Sequence, residues 1–306
     1  MILNLKTNKL IVIAGPTAIG KTKLAISIAK MYKTDIISAD SRQMFKELCI
    51  GVDKPSKKQL SQINHHFINY ISITDDYSVG KYEKDCGNLL TKLFKKNNIQ
   101  IMCGGSGLYL ESVCSGLNTF PEIKKETKQK ISSWYQNKGM EFLKKKLKKI
   151  DIDTYNSIDI KNPRRVIRAL EVCMSCSSKF SELKQPMKFE RPFDILKICL
   201  TDERENIYKK IDRRVDEMIE SGLLDEVKAL YKYKNLKSLQ TIGYKELFEY
   251  LEGKISKSKA IFEIKKNSRR YAKRQITWFK GHDYLQININ NLSTINEQIQ
   301  RFTLNH

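Results

Sequence analysis

Apolar residues run unbroken from Leu10 to Ala14, stop at Gly15, and recur at Leu24, Ala25, Ile28 and Met31. The first pattern predicts a strand buried on both faces, the second one face of a helix from about Lys21 to Met31. The alternation repeats downstream. Asp35 to Ala39 reads as a second strand ending at Asp40 and Ser41, and Ile99 to Cys103 as a third. Between them Ser78 caps a predicted helix in which Val79, Tyr82, Cys86, Leu89, Leu90 and Leu93 share a stripe. Strands alternating with helices predict an α/β fold around a parallel sheet flanked by helices.

After Gly116 the pattern becomes helical and rich in lysine. Helices are predicted over roughly Lys124 to Asn137 and Met140 to Ile150, and another opens at Asn162-Pro163 and runs to about Ser175. Strand pattern returns only at Asp194 to Leu200. Residues 118–189 are therefore expected to form an all-helical insertion in a core made of 1–117 and 190–306. The rest of the core is predicted helical over Arg204 to Ser221, Leu223 to Tyr233, Tyr244 to Leu251 and Lys257 to Phe279, with Tyr284 to Ile289 as a last strand.

Charge changes this picture more than composition does. Fifty-six Lys and Arg against 34 Asp and Glu leave a formal charge of +22, more than solubility requires, which points to a polyanionic partner. A Lys-, Asn- and Ile-rich chain also carries solvated lysines, so the placement of charge must decide. Seven cysteines, an odd number scattered through apolar segments, fit buried thiols in a reducing cytoplasm. The short apolar run at the N-terminus reads as a strand, not a signal peptide, and no segment approaches the roughly 20 apolar residues of a membrane span.

The turn after the first strand carries chemistry. Gly15-Pro16-Thr17-Ala18-Ile19-Gly20-Lys21-Thr22 fits G-x-x-x-x-G-K-[ST] between a buried strand and a helix, the setting in which that motif cradles phosphates. Loop N–H groups and the helix N-terminus meet the anion, Lys21 neutralises it, and Thr22 can hold Mg²⁺. This says diphosphate or triphosphate and no more. Asp40, at the end of the second strand, is placed for a metal ligand or a general base, whereas the Ile99 to Cys103 strand runs into Gly104-Gly105-Ser106-Gly107-Leu108-Tyr109 without a carboxylate. A small-molecule or nucleotide kinase and a basic RNA-binding ATPase both remain open on these residues.

Further segments narrow the choice. ADSRQMF (Ala39 to Phe45), IGVDKPS (Ile50 to Ser56), GGSGLY (Gly104 to Tyr109), NPRRVIRALEV (Asn162 to Val172), RRVDEMIESGLLDEV (Arg213 to Val227), IGYKEL (Ile242 to Leu247) and KRQITWFK (Lys273 to Lys280) follow the phosphate loop in order. Together they resemble the tRNA dimethylallyltransferase (tRNA isopentenyltransferase) family over nearly the whole chain. The resemblance implies a core like that of P-loop NTPases, with the loop holding dimethylallyl diphosphate instead of ATP. It implies transfer of the dimethylallyl group to N6 of the adenosine next to the anticodon in tRNAs reading codons that begin with U. On this reading Asp40 is the general base, and Lys21, Arg214, Thr17 and Ser106 complete the catalytic set. The tRNA anticodon stem-loop is expected at Asp40, Ser41, Arg42, Gln43, Ser106, Lys128, Arg164, Arg165, Val166, Ile167, Arg168, Lys273, Arg274, Gln275, Ile276, Thr277, Trp278, Phe279 and Lys280. The enzyme is expected to be of bacterial type, cytoplasmic and monomeric.

The chain departs from the family pattern at Phe45 for a usual tyrosine, Ile19 for serine, Val52-Asp53 for Thr-Ala, and Lys128 and Lys280 for arginine. None of these removes a reacting group, but lysine cannot reproduce arginine's bidentate hold on phosphate. His65-His66 and the Cys173/Cys176 pair lack further ligands at metal spacing and read as structural. Nine basic residues lie between Lys257 and Lys280 against Glu263 alone, with Trp278 and Phe279 among them, which favours RNA over a solvated face.

Overall fold

The computed structural model describes residues 7–118, 120–183 and 190–304. Six strands, β1 (Lys9–Ala14), β2 (Ile36–Ser38), β3 (His65–His66), β4 (Ile99–Gly104), β5 (Asp194–Thr201) and β6 (Leu285–Asn288), form one sheet. Every pairing is parallel and the order is β3-β2-β4-β1-β5-β6. β1 lies between β4 and β5, with Ala14 level with Gly104 and Cys199. Its side chains enter two cores. Leu10, Val12 and Ala14 join a layer with Tyr82, Leu90 and Phe279, while Ile11 and Ile13 join one with Ala25, Ile28, Ile211 and Ile295. Burial on both faces explains why this strand is apolar throughout instead of alternating.

The two central strands part company at their carboxyl ends. β1 continues through the Lys21–Tyr32 helix to β2, on the far side of β4, whereas β4 leads on to β5, on the far side of β1. Loops leaving in opposite directions open a crevice at that edge, where ligands of open α/β sheets bind.

The chain divides into two compact units, Met1–Cys114 with Glu190–His306, and Ser115–Phe189. Within the second, the Lys125–Ile150 helix is broken at Gly139, whose φ of 72° and ψ of −176° are not helical, so the predicted break falls there. Asn162 accepts the Arg164 N–H and Pro163 opens the Pro163–Cys176 helix, as expected of a proline that has no N–H to lose. Ile131, Leu143, Leu147, Val166, Ala169 and Leu170 form this unit's own core. Residues 119 and 184–189 of the predicted insertion lie outside the described residues.

Several elements of the core differ from expectation, among them the unpredicted helices Lys57–Leu60 and Gly107–Ser115. β3 has two residues, too few for a periodicity, and the Leu292–Leu304 helix, which buries only Ile295 and Ile299, was hidden in a polar segment. The helix predicted from Leu223 to Tyr233 stops at Ala229 and continues as a 3-10 turn over Tyr231–Tyr233.

Candidate active site

The loop after β1 bends through unusual backbone. Gly15 has φ 147° and a Cβ there would come within 2.9 Å of the Leu200 carbonyl oxygen, so no side chain fits. Ala18 takes φ 64° and Gly20 φ 101°, which turns the chain back to start the Lys21–Tyr32 helix. Lys21 Nζ donates to the Pro16 carbonyl at 2.7 Å, spanning its own loop. Burial lowers its pKa below the ordinary lysine value, against smaller raising effects of Cys103 and Asp40.

Above the loop lies a cavity of about 830 Å³ lined by Thr17, Ala18, Ile19, Gly20, Lys21, Thr22, Asp40, Gln43, Arg214 and Gln275 among others. Arg214, from the Arg204–Glu220 helix, donates through Nη1 to Thr17 Oγ1 and lies 3.1 Å from Asp53 Oδ2. Its Nε is buried and has no partner among the described residues, a spare donor beside the phosphate loop. Burial also pulls its pKa down, opposed by Asp53 and Asp40.

Asp40 follows β2. Its Oδ1 accepts the backbone N–H of Arg42 at 2.9 Å and of Gln43 at 3.3 Å, while Oδ2 takes no hydrogen bond among the described residues. The cap and the reactive readings of this carboxylate thus apply to different oxygens: one is fixed by the turn, the other is available. Ser106 Oγ accepts the Ser41 N–H at 3.0 Å and bonds Ser41 Oγ at 3.2 Å, tying the loop after β4 to the turn after β2.

Gln275 joins the third wall. It is 6% exposed, its Oε1 accepts the Thr17 N–H at 3.0 Å and its Nε2 donates to the Gly105 carbonyl at 2.8 Å. It therefore locks the phosphate loop to the glycine loop from inside. One helical turn earlier Tyr271 faces the same cavity. Burial and then the Asp40 charge push its phenol up to about 12, against a smaller lowering effect of Ser106. Sequence reasoning missed Tyr271, although its spacing of four from Gln275 and seven from Trp278 marks one helix face.

Not every expected residue reaches the cavity. Arg42 Nη1 donates to the Ser238 carbonyl at 2.9 Å. Phe279 is 0% exposed in the core and Val166 0% in the helical unit, so neither side chain reaches a partner; Ile276 packs on the core layer and Ile167 on that of the helical unit. Lys273, Arg274, Thr277 and Trp278 line a separate shallow cavity of about 280 Å³. Trp278 stacks on His282 with centroids 4.3 Å apart and covers Gly107, where a Cβ would meet its Nε1 at 2.2 Å. Lys128, Arg164, Arg165, Arg168 and Lys280 are exposed, with Arg168 over the Phe120 ring.

The basic helix is less uniform than its sequence. Lys259 and Lys266 pair with Glu263, Lys265 with Asp216 and Arg269 with Asp212. Arg270, Lys273, Arg274 and Lys280 have no ion-pair partner among the described residues, so uncompensated charge gathers toward its C-terminal half.

His66 Nε2 bonds Asp35 Oδ2 at 2.8 Å, and His65 lines the cavity with Nδ1 on the Ile63 carbonyl at 2.8 Å. All seven cysteines are free thiols. Among the described residues no group of three or more His, Cys, Asp or Glu is placed to hold a metal, and no helix is long and apolar enough to cross a membrane.

A phosphate loop at the carboxyl edge of a parallel sheet, with a half-buried lysine and arginine and an available carboxylate oxygen on Asp40, defines a P-loop protein built to act on a phosphorylated ligand. Residues 43–282 match the family model described as IPP transferase, and the chain belongs to that family. It is 48% identical over 274 residues to the tRNA dimethylallyltransferase of Christiangramia forsetii, covering 90% of this chain and 91% of that one. It is 44% identical over 277 residues to tRNA dimethylallyltransferase 1 of Bacteroides thetaiotaomicron, covering 90% of each. The crystal structure of a tRNA isopentenylpyrophosphate transferase from Bacillus halodurans matches with a TM-score of 0.72 at 33% identity, over 97% of both chains. A eukaryotic dimethylallyltransferase acting on tRNA matches with a TM-score of 0.78 at 28% identity, over 94% of this chain and 75% of that one.

Proposed function

We propose that this enzyme transfers a dimethylallyl group from dimethylallyl diphosphate to N6 of the adenosine next to the anticodon, in tRNAs reading codons that begin with U. The observation that carries the reading is one cavity holding both a diphosphate cradle and a carboxylate with a free oxygen, in a chain of the IPP transferase family. The adenine N6 attacks C1 of the prenyl group, the C1–O bond breaks, and pyrophosphate leaves with the bonding pair. The N6 proton passes to Asp40 Oδ2, while Oδ1 stays on the Arg42 and Gln43 N–H groups and holds the carboxylate in place. Charge developing on the leaving group meets Lys21, the loop N–H groups and the Arg214 guanidinium, whose unpartnered Nε supplies one more donor.

Thr22 fits a place beside Mg²⁺. It lines the cavity next to Lys21, and its hydroxyl has no partner among the described residues. A single protein oxygen suits a cation that takes its other ligands from diphosphate and water. When bound, Mg²⁺ would neutralise diphosphate charge.

A stacked adenine must be extruded to reach such a cavity. The unpaired cations toward the end of the Lys257–Lys280 helix, and Lys128, Arg164, Arg165 and Arg168 of the 118–189 insertion, are assigned to the stem-loop backbone. The enzyme works on this reading as a cytoplasmic monomer. The test is nucleoside mass spectrometry of undermodified tRNA incubated with the protein, Mg²⁺ and dimethylallyl diphosphate. Expected is N6-(dimethylallyl)adenosine; no product, or consumption of ATP instead, would sink the assignment.

A further inference from the structure

Beside the diphosphate cradle Arg214 meets a carboxylate. Its Nη1 lies 3.1 Å from Asp53 Oδ2 while also bonding Thr17, and Asp53 lines the same cavity as Lys21 and Thr22. An acid sits awkwardly in a pocket for a polyanion, because like charges a few ångströms apart repel. Yet its loop is pinned. Gln43 Nε2 donates to the carbonyls of Val52 and Asp53 at 3.3 and 2.8 Å, and Glu226 accepts the N–H groups of Cys49, Ile50 and Gly51 at 3.1, 2.9 and 3.2 Å. Asp53 has φ 52°, a region that Asn and Gly also tolerate. Backbone conformation alone therefore does not require the charge.

We propose that Asp53 is a release residue: its carboxylate competes with the bound anion for Arg214 and weakens the hold on product pyrophosphate more than on the prenyl diphosphate. This rests on the prenyl-transfer reading above. The discrimination follows from the bond that breaks. Pyrophosphate departs with the C1–O electron pair and so carries more negative charge than its ester, and repulsion from Asp53 is greatest in the product complex. Such a residue costs something in the chemical step and speeds the step after it, which limits turnover in many enzymes.

Calorimetric titration with inorganic pyrophosphate, with and without Mg²⁺, tests this on wild type, Asp53→Asn and Asp53→Gly, both of which keep the left-handed backbone. Expected is binding tighter by about tenfold in both variants, the size of one screened charge interaction at short range. Product inhibition by pyrophosphate should strengthen to match, and KM for dimethylallyl diphosphate should fall by a smaller factor. Unchanged affinity in both variants overturns the proposal. A gain in the glycine variant alone overturns it in favour of side-chain bulk. Weaker binding also overturns it: in both conditions it makes Asp53 a support for Arg214, and only with Mg²⁺ a metal ligand. Measured against Arg214→Ala alone, adding Asp53→Asn should tighten binding by much less than tenfold, because only the direct repulsion is left to remove; a gain of full size removes Arg214 from the account and overturns it. Wild-type protein that binds no pyrophosphate overturns the prenyl-transfer reading as well, whereas binding with unaltered variants overturns the release role alone.

Discussion

Around the phosphate loop the polar groups hold one another: Lys21 on Pro16, Arg214 on Thr17 and Asp53, Gln275 between Thr17 and Gly105, Asp40 on a turn. Toward the C-terminal end of the Lys257–Lys280 helix the cations stand exposed without carboxylates. The first region is arranged in advance for one charge distribution, which is how an electrostatic site accelerates a reaction. The second can follow a flexible phosphate backbone, where attraction needs density of charge more than fixed geometry. Chemistry and grip should therefore fail separately.

The strongest separation is expected at Asp40. Asp40→Asn keeps the shape and the Oδ1 acceptor but loses the charge and the proton-accepting oxygen, so single-turnover transfer should slow by on the order of 10² to 10⁴ with both substrates saturating. Binding of tRNA should hold. A rate restored by excess Mg²⁺ would make Asp40 a metal ligand, and a near-normal rate would remove it from the chemistry. Lys21→Ala should cost on the order of 10² to 10³ in transfer, the loss typical of one leaving-group donor. Equal loss of tRNA affinity would merge the two regions. Because burial lowers the Lys21 pKa, its charge, and with it pyrophosphate affinity, should be lost as pH rises through that lowered value. Lys21→Arg should move that loss to higher pH in the same titration.

The sequence made the first region more legible than the second. The phosphate loop is local: eight consecutive residues between a buried strand and a helix, so motif and context coincide in a single window. Asp40 and Ser106 were placed by family resemblance, and their tie through Ser41 appears only once β2 and β4 lie side by side. Gln275 was assigned to RNA with the rest of Lys273 to Lys280 by family resemblance, yet the helix turns its side chain inward with Phe279 four residues on. The count of nine cations likewise overstated free charge, since Asp212 and Asp216, some fifty residues earlier, neutralise Arg269 and Lys265. Long-range pairing cannot be read from a run of charges.

Gln275 sharpens the comparison from the inside. Gln275→Ala leaves the Thr17 N–H and the Gly105 carbonyl without partners, which should cost about 1 to 3 kcal/mol in urea unfolding. If the glutamine instead served RNA, stability would be unchanged and tRNA affinity would fall. Gln275→Glu separates the two further: it keeps an acceptor for Thr17 but loses the donor to Gly105 and puts a negative charge beside the cradle. Pyrophosphate affinity should then fall more than in the alanine variant.

The smallest effect should come from the exposed face. Replacing Lys273 and Arg274 together by alanine removes two cations that have no ion-pair partner, so folding should change little. Each lost phosphate contact releases fewer counterions, and the slope of log affinity for tRNA against log salt should become shallower by about 0.7 to 0.9 per residue. The measurement is tRNA affinity over a salt series, with Lys265 and Arg269 replaced in a second protein as the contrast. Those two are already paired with Asp216 and Asp212, so their loss should leave the slope nearly as it was. Equal slopes in wild type and in the Lys273/Arg274 variant would return the whole helix to a solvated surface. Equal shifts in both variants would mean that the carboxylates give up their cations to RNA, and that pairing within the protein does not decide which charges grip.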